Sequence, residues 1–202
     1  MNSRLPALIF DFGGVLLDWD PRNLFRKFFG EDVAEMEQFL VDIDFYGWNL
    51  EQDKGRPFAD GVAELSARFP QYADLIRAYD ERWEESIRGP IQSTVNTLQP
   101  FQEKGYSLFG LTNWSHEKFQ LVSHQYSFFS LFENILVSGF VELVKPDPRI
   151  FEMMLARIDR PADECVFIDD SAANIAAARQ LGFMTIRYES TRQMLRDLAR
   201  ME

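Results

Sequence analysis

Cysteine is almost missing from this chain. Cys165 is the only one, so no disulfide can form within the sequence and a cysteine-based zinc site is excluded. A reducing compartment, the cytoplasm, is the expected home. Flanked by Val166, Phe167 and Ile168, the thiol is expected to serve as a small buried apolar side chain. Histidine is equally scarce. His116 and His124 stand eight residues apart, which is no metal-ligand spacing, and they read as ordinary solvated residues on a surface helix. Positive charge is in short supply: 21 Lys and Arg face 32 Asp and Glu, a net charge of −11. Proteins that wrap nucleic acid or adhere to anionic membranes need clustered cations, so neither partner is expected. Long hydrophobic runs are absent too. The N-terminal stretch offers only Leu8 to Phe10 before Asp11 and Gly13 intervene, so no signal peptide or membrane span is expected.

What is present is a core. Hydrophobic residues make up 46% of 202 residues and aromatics 14%, with 19 Phe, which suits one packed core with room for a small inserted module. Short apolar runs at Leu5 to Phe10, Tyr106 to Leu111, Ile135 to Val137, Val166 to Ile168 and Phe183 to Ile186 predict five buried strands. Between them, Ile91 to Lys104, Ser115 to Gln125, Pro148 to Arg157 and Ser171 to Leu181 have helical character. Ser115 and Ser171 suit N-caps, and Gly105 and Gly182 suit the residue past the last turn. Strands alternating with helices predict an α/β fold with a Rossmann-like, parallel five-stranded sheet covered on both faces.

One stretch breaks the alternation. From about Asp20 to Gly89 no strand is legible, and the pattern gives four amphipathic helices: Pro21 to Phe29, Val33 to Val41, Phe58 to Phe69 and Tyr72 to Trp83. Residues 19–88 therefore read as a helical cap inserted into a core made of 1–18 and 89–202. Phe45, Trp48 and Trp83 are expected in the cap's own core, while Glu81, Arg82, Glu84 and Glu85 read as a solvated helix face.

Ligands of parallel sheets sit at the carboxyl ends of the strands. Asp11 follows the first run, with Gly13 and Gly14 letting backbone approach a ligand closely. Thr112 and Asn113 end the second run, Lys145 precedes Pro146-Asp147-Pro148, and Asp169-Asp170 end a later one. A phosphate would be repelled by the overall charge, so a site for one must carry its own cation or helix N-terminus.

These four ordered segments, Asp11-Phe12-Gly13-Gly14-Val15, Leu111-Thr112-Asn113, Val144-Lys145-Pro146-Asp147-Pro148 and Ile168-Asp169-Asp170-Ser171 with Asn174, resemble the haloacid dehalogenase (HAD) superfamily. The resemblance covers essentially the whole length and is to the helical-cap (C1, subfamily IA) type, in the manner of its sugar-phosphate phosphatases. It implies a Mg²⁺-dependent phosphatase acting on a small phosphorylated metabolite as monomer or homodimer. Asp11 would be the nucleophile, forming an aspartyl-phosphate. Lys145 and Thr112 would stabilise the transferring group, and Gly13, Gly14, Asn113 and Trp114 would contact substrate. The implied Mg²⁺ ligands are the Asp11 and Asp170 carboxylates and the Gly13 carbonyl, with Asp169 direct or through water.

The chain departs from that pattern at Gly13, where most of the phosphatases carry an aspartate acting as general acid and base. A substrate-derived or cap-derived group, or water, would have to fill the role. Asp18 and Asp20 are near in sequence, yet Asp20 reads as a helix N-cap and Asp18 as part of the connection to the cap. Two other readings stay open. A 2-haloacid dehalogenase would use Asp11 without metal or leaving-group protonation, and Lys145-Pro146-Asp147-Pro148-Arg149 resembles the dehalogenase run closely; the adjacent pair Asp169-Asp170 speaks against it. A module that binds a phosphate ligand without turnover is the other.

Overall fold

The structure, a computed structural model, describes residues 5–201, so the expected core segments reach beyond the described residues at both ends. Seven strands follow one another: β1 (Ala7–Phe10), β2 (Leu17–Trp19), β3 (Ile87–Pro90), β4 (Leu108–Thr112), β5 (Asn134–Val137), β6 (Cys165–Asp169) and β7 (Met184–Arg187). Five of them form one parallel sheet in the order β5-β4-β1-β6-β7. The expected α/β class and all five expected strands are there.

Why the strands read as unbroken apolar runs is plain from their two faces. Along β1, Leu8 and Phe10 point into one cluster while Ala7 and Ile9 point into another, and all four are fully buried. Along β6, Val166 and Ile168 join the first, and Cys165 and Phe167 the second. A strand buried on both faces has no polar alternation to show. Cys165 is buried as expected.

The second cluster is closed by Ile150, Phe151, Met154 and Ile158, one stripe of a helix over Pro148–Ile158. The first runs on, past the sheet, into the inserted segment. There five helices, α1 (Pro21–Phe29), α2 (Val33–Asp42), α3 (Phe45–Asp53), α4 (Phe58–Arg68) and α5 (Ala73–Glu81), pack around Tyr79, which is wholly buried. Its ring lies 4.8 Å from Phe45, 5.9 Å from Phe25 and 5.9 Å from Trp48, centroid to centroid. The Phe25 ring stacks on it and the other two meet it edge-to-face, and aromatic pairs of both kinds add to what their buried area contributes.

Three expectations need correction here. The helix expected over Tyr72 to Trp83 is broken: a 3-10 turn over Pro70–Tyr72 leads into α5, and a second over Trp83–Ser86 follows it. A strand exists where none was legible. β2 and β3 pair antiparallel, with Leu17 opposite Pro90 and Trp19 opposite Ile87, and the chain passes through this ribbon on its way into and out of the inserted helices. Three or four residues, half-exposed and including Gly89 and Pro90, offer no periodicity to read. Finally, α3 was not anticipated. Its buried side is Phe45, Trp48, Asn49 and Gln52, the right spacing for a helix but with two amides among the apolar residues.

Candidate active site

The register of the sheet brings the sequence motifs together. Phe10 stands opposite Ile168 on one side and Gly110 on the other, so Asp11, Thr112 and Asp169 all emerge at the same edge. The Asp11 N–H donates to the Ile168 carbonyl at 2.9 Å, which carries the β6 ladder one residue beyond β1.

Lys145 reaches this edge from the loop that precedes the Pro148–Ile158 helix, and only 2% of it is exposed. Its Nζ donates to Asp169 Oδ2 at 2.7 Å and to the Leu111 carbonyl at 2.9 Å, and lies 2.9 Å from Asp11 Oδ1. An ammonium has three hydrogens, and all three have acceptors. Asn113 fixes the loop. Its Oδ1 accepts from the Lys145 N–H at 2.8 Å and its Nδ2 donates to the Lys145 carbonyl at 2.9 Å, so the amide is committed to holding the lysine.

Asp169 is fully buried and equally committed. Oδ1 accepts from the Ser171 N–H at 2.8 Å and from Asn174 Nδ2 at 3.1 Å; Oδ2 accepts from Lys145 and from Asn174 Nδ2 at 3.0 Å. Ser171 also caps the helix over Ala172–Gln180 by accepting from the Asn174 N–H, which ties the cap to the site. Asp170, the next residue, is exposed. Asp11, Asp169 and Asp170 each offer an oxygen, and these lie within 4.8 Å of one another.

Three carboxylates share one ammonium. Burial pushes Asp11 up to about 7; Lys145 pulls it down, while Asp169 and Asp170 push it further up. Burial, then Asp169, also holds Asp170 above the ordinary carboxylate value. Burial disfavours the charged form of Lys145, but Asp11 and Asp169 outweigh it and leave the ammonium above its ordinary value. The directions agree physically: one cation is well served by several anions, and Asp11 and Asp170 are poorly served by a cation they share. Oxygen donors crowded around too little positive charge fit a hard divalent cation such as Mg²⁺.

The two glycines differ. Gly14 has φ +73°, and a Cβ there would collide with the Asp170 carboxylate, so this glycine makes room for the acid. It is not among the residues lining the cavity described next. A Cβ on Gly13 would meet nothing within 4 Å, so Gly13 borders open space.

That space belongs to a cavity of about 70 Å³ at the mouth of the sheet. Gly13, Thr112, Asn113 and Trp114 line it from the sheet side, and Asn49, Asp53 and Trp83 from the inserted segment. The ribbon residues Leu17, Trp19 and Ile87 complete the wall. The Trp83 and Trp114 rings lie 5.5 Å apart, and the buried Trp114 Nε1 and Ser115 Oγ have no hydrogen-bond partner. Ser115 thus precedes its helix without capping it through the side chain, contrary to expectation. His116, expected to be solvated, is half-buried with Nδ1 shielded and its ring 5.7 Å from Phe140; His124 is exposed. Asp18 and Asp20 take no part: Asp18 lies 3.9 Å from Arg88, and Asp20 caps α1 by accepting from the Arg22 N–H.

Sequence reasoning missed Asn49 and Asp53. They stand four residues apart on α3, a helix without legible periodicity, and no motif marks them.

A family model for haloacid dehalogenase-like hydrolases matches residues 5–182. Among curated proteins, the drimenol cyclase of Aspergillus calidoustus is 27% identical over 95% of this chain, which spans only 35% of that protein's length. A sesquiterpene phosphatase of Aspergillus oryzae is 26% identical, with 91% of this chain and 90% of that one covered. A (S)-2-haloacid dehalogenase of Burkholderia cepacia is 26% identical over 69% of this chain and 58% of its own. Among solved structures, the magnesium complex of a HAD family enzyme from Bacteroides thetaiotaomicron superposes with a TM-score of 0.72 at 23% identity, covering 93% of this chain and 94% of that one. A sheet that delivers Asp11, Lys145 and the Asp169-Asp170 pair to one mouth, in a chain matched by that family over nearly its whole length, makes this protein a member of the haloacid dehalogenase-like hydrolases.

Proposed function

We propose that this hydrolase is a Mg²⁺-dependent phosphatase that removes phosphate from a small phosphorylated metabolite through an aspartyl-phosphate on Asp11. The observation that carries the reading is Asp11 Oδ1 standing 2.9 Å from the Lys145 ammonium, inside a cluster of three carboxylates, while Gly13 and Thr112 of the same strand ends line a cavity. Asp11 attacks phosphorus, the bond to the leaving oxygen breaks, and water then cleaves the acyl phosphate. Lys145 keeps one Asp11 oxygen ionised and, with the Thr112 hydroxyl, offsets charge on the transferring group. Asn113 acts through Lys145, by holding its backbone.

Mg²⁺ would be held by the Asp11 and Asp170 carboxylates and the Gly13 carbonyl, and supplies charge neutralisation at the phosphate. Asp169 would act through water, since Ser171, Lys145 and Asn174 Nδ2, the last shared between both oxygens, already hold its carboxylate. The helices between residues 19 and 88 serve as a cap that excludes bulk water over a core of 1–18 and 89–202. The cavity, about 70 Å³ in volume, restricts the leaving group to a compact one. Its indole faces beside Asn49 and Asp53 suit a leaving group with both an apolar face and hydroxyls, as a sugar phosphate has.

The haloacid dehalogenase reading shares Asp11 and Lys145 but leaves the exposed Asp170 carboxylate without a task. The test is a panel of phosphate esters with Mg²⁺ or with EDTA, run beside 2-chloropropionate with halide detection. Phosphate release that needs Mg²⁺ and falls at least ~10⁴-fold in Asp11→Asn is the expected result, and it also removes the non-catalytic reading. Halide release without metal, and no phosphate from any ester, would reverse the assignment.

A further inference from the structure

We propose that Asp53, the last residue of α3, is the proton donor and acceptor of this reaction, standing in from the inserted helices for the carboxyl that the chain lacks at Gly13. The proposal rests on the phosphatase reading above. Its geometric basis is that Asp53 lines the same cavity as Gly13 and Thr112, with the open space over Gly13 at the mouth of that cavity.

The side chain is held in place rather than carried on a loose lid. Asn49 Nδ2 donates to Asp53 Oδ2 at 3.1 Å, and Asn49 Oδ1 in turn accepts from the buried Tyr79 hydroxyl at 3.1 Å. The Ser115 N–H also donates to the Asp53 carboxylate. The Asp53 carbonyl accepts from Ser138 Oγ at 2.6 Å, and that oxygen accepts from the Trp114 N–H at 2.9 Å. Asp53 is thereby pinned to the segment that directly follows Thr112 and Asn113.

Nothing local explains a carboxylate here. It stands at the negative end of the α3 dipole, where an acid is disfavoured. Among the described residues no Lys or Arg is ion-paired with it. The titratable groups that bear on it are Lys145 and, on α5, Tyr79, and neither is ion-paired with it. Burial pushes its carboxyl up to about 7, against the Ser115 and Asn49 hydrogen bonds and the Lys145 charge that pull it down. An acid poised there can give and take a proton at neutral pH.

The proton balance closes. In the first step Asp11 bonds to phosphorus, the bond to the leaving oxygen breaks with its electron pair, and that oxygen takes the Asp53 proton. Aspartyl-phosphate, free alcohol and ionised Asp53 result. In the second step Asp53 takes a proton from water as the water oxygen bonds to phosphorus, the Asp11–phosphorus link breaks, and phosphate leaves with Asp11 ionised and Asp53 protonated again.

The experiment measures kcat/KM, which reports formation of the phospho-enzyme, for wild type and Asp53→Asn with two esters: 4-nitrophenyl phosphate, whose leaving group needs no proton, and a simple alkyl phosphate, whose leaving group does. Asp53→Asn should lose ~10²–10⁴ with the alkyl ester and at least tenfold less with the aryl ester. The fall in the wild-type alkyl profile above about pH 7 should vanish in the variant. Mg²⁺ affinity by calorimetry should match wild type, and Asp53→Ser provides the same reading if the amide variant does not fold. Equal losses on both esters, or none, overturn the proposal. If wild type releases phosphate from neither ester, the phosphatase reading itself has failed, which is a different result.

Discussion

The floor and the wall of the cavity are built on different terms. On the floor, every Lys145 ammonium hydrogen has an acceptor, both Asp169 oxygens accept hydrogen bonds, and Asn113 and Asn174 hold the pair. On the wall, among the described residues, Trp114 Nε1 has no partner and Asp53 has no ion pair. Buried polar groups left unmatched weaken a fold, whereas a matched network stiffens it. The floor is therefore preorganised for one kind of chemistry, and the wall keeps donors and acceptors free for whatever ester it receives. Stability and reactivity should part along this line: changes to the floor should damage both, and changes to the wall mainly rates.

The largest break should come from Lys145→Met. The substitution keeps the side chain's length but leaves the fully buried Asp169 and the nearly buried Asp11 without their cation. Removing one partner from a buried, hydrogen-bonded charge cluster costs about 3–5 kcal/mol. Urea unfolding should show that loss, and phosphate release should become undetectable. A variant as stable as wild type would mean the floor is not the rigid element described.

Next in size is the response to pH and metal. Asp11, raised from 3.8 to about 7 by burial, is protonated in the folded chain over a range where the unfolded chain has already ionised it. Below about pH 4 both states hold the proton and nothing is lost; as pH rises through about 7 the metal-free fold loses up to about 4 kcal/mol from this group, at about 1.4 kcal/mol per tenfold change in proton concentration. Mg²⁺ competes with that proton and with the one on Asp170, also raised. The rise in melting temperature on adding Mg²⁺ should therefore be small at pH 5 and several degrees larger at pH 8. An equal rise at both pH values would remove the carboxylate cluster as the metal site.

The contrast also governs what could be read from sequence. The floor was legible because its residues stand at the ends of apolar runs: strand register alone then forces Asp11, Thr112 and Asp169 to one edge, and the glycine at position 14 is needed where Asp170 comes close. The wall was not. Asn49 and Asp53 belong to a helix whose buried face mixes amides with aromatics, so no period marks it, and the ribbon of β2 and β3 is too short to leave a pattern. Trp83 was expected in the cap core and proved to border the cavity as well. Asn113, expected at the substrate, lines the cavity but turns its amide to the Lys145 backbone, which no sequence pattern announces. Local chemistry announces a reacting carboxylate, whereas a specificity wall is assembled from distant segments by packing.

The smallest effect should come from Asp20→Ala, and it sharpens the comparison by asking whether any acid near the cavity would do. Asp20 is in the same connection as the ribbon, close in sequence to Asp11, and is the obvious rival to Asp53. Its carboxylate, though, is already employed: Oδ1 accepts from the Arg22 N–H at 2.9 Å and faces Arg22 Nη1 at 3.3 Å, at the start of α1. Loss of an N-cap of this kind costs about 0.5–2 kcal/mol. Because the side chain is partly exposed and does not line the cavity, the ratio of kcat/KM for alkyl and aryl esters should stay at its wild-type value. A melting temperature lowered by a few degrees with that ratio intact separates a carboxylate that supports the cap from one that moves a proton. If instead the ratio collapses in Asp20→Ala, the acid belongs to the ribbon connection, and Asp53 has no part in the proton transfer.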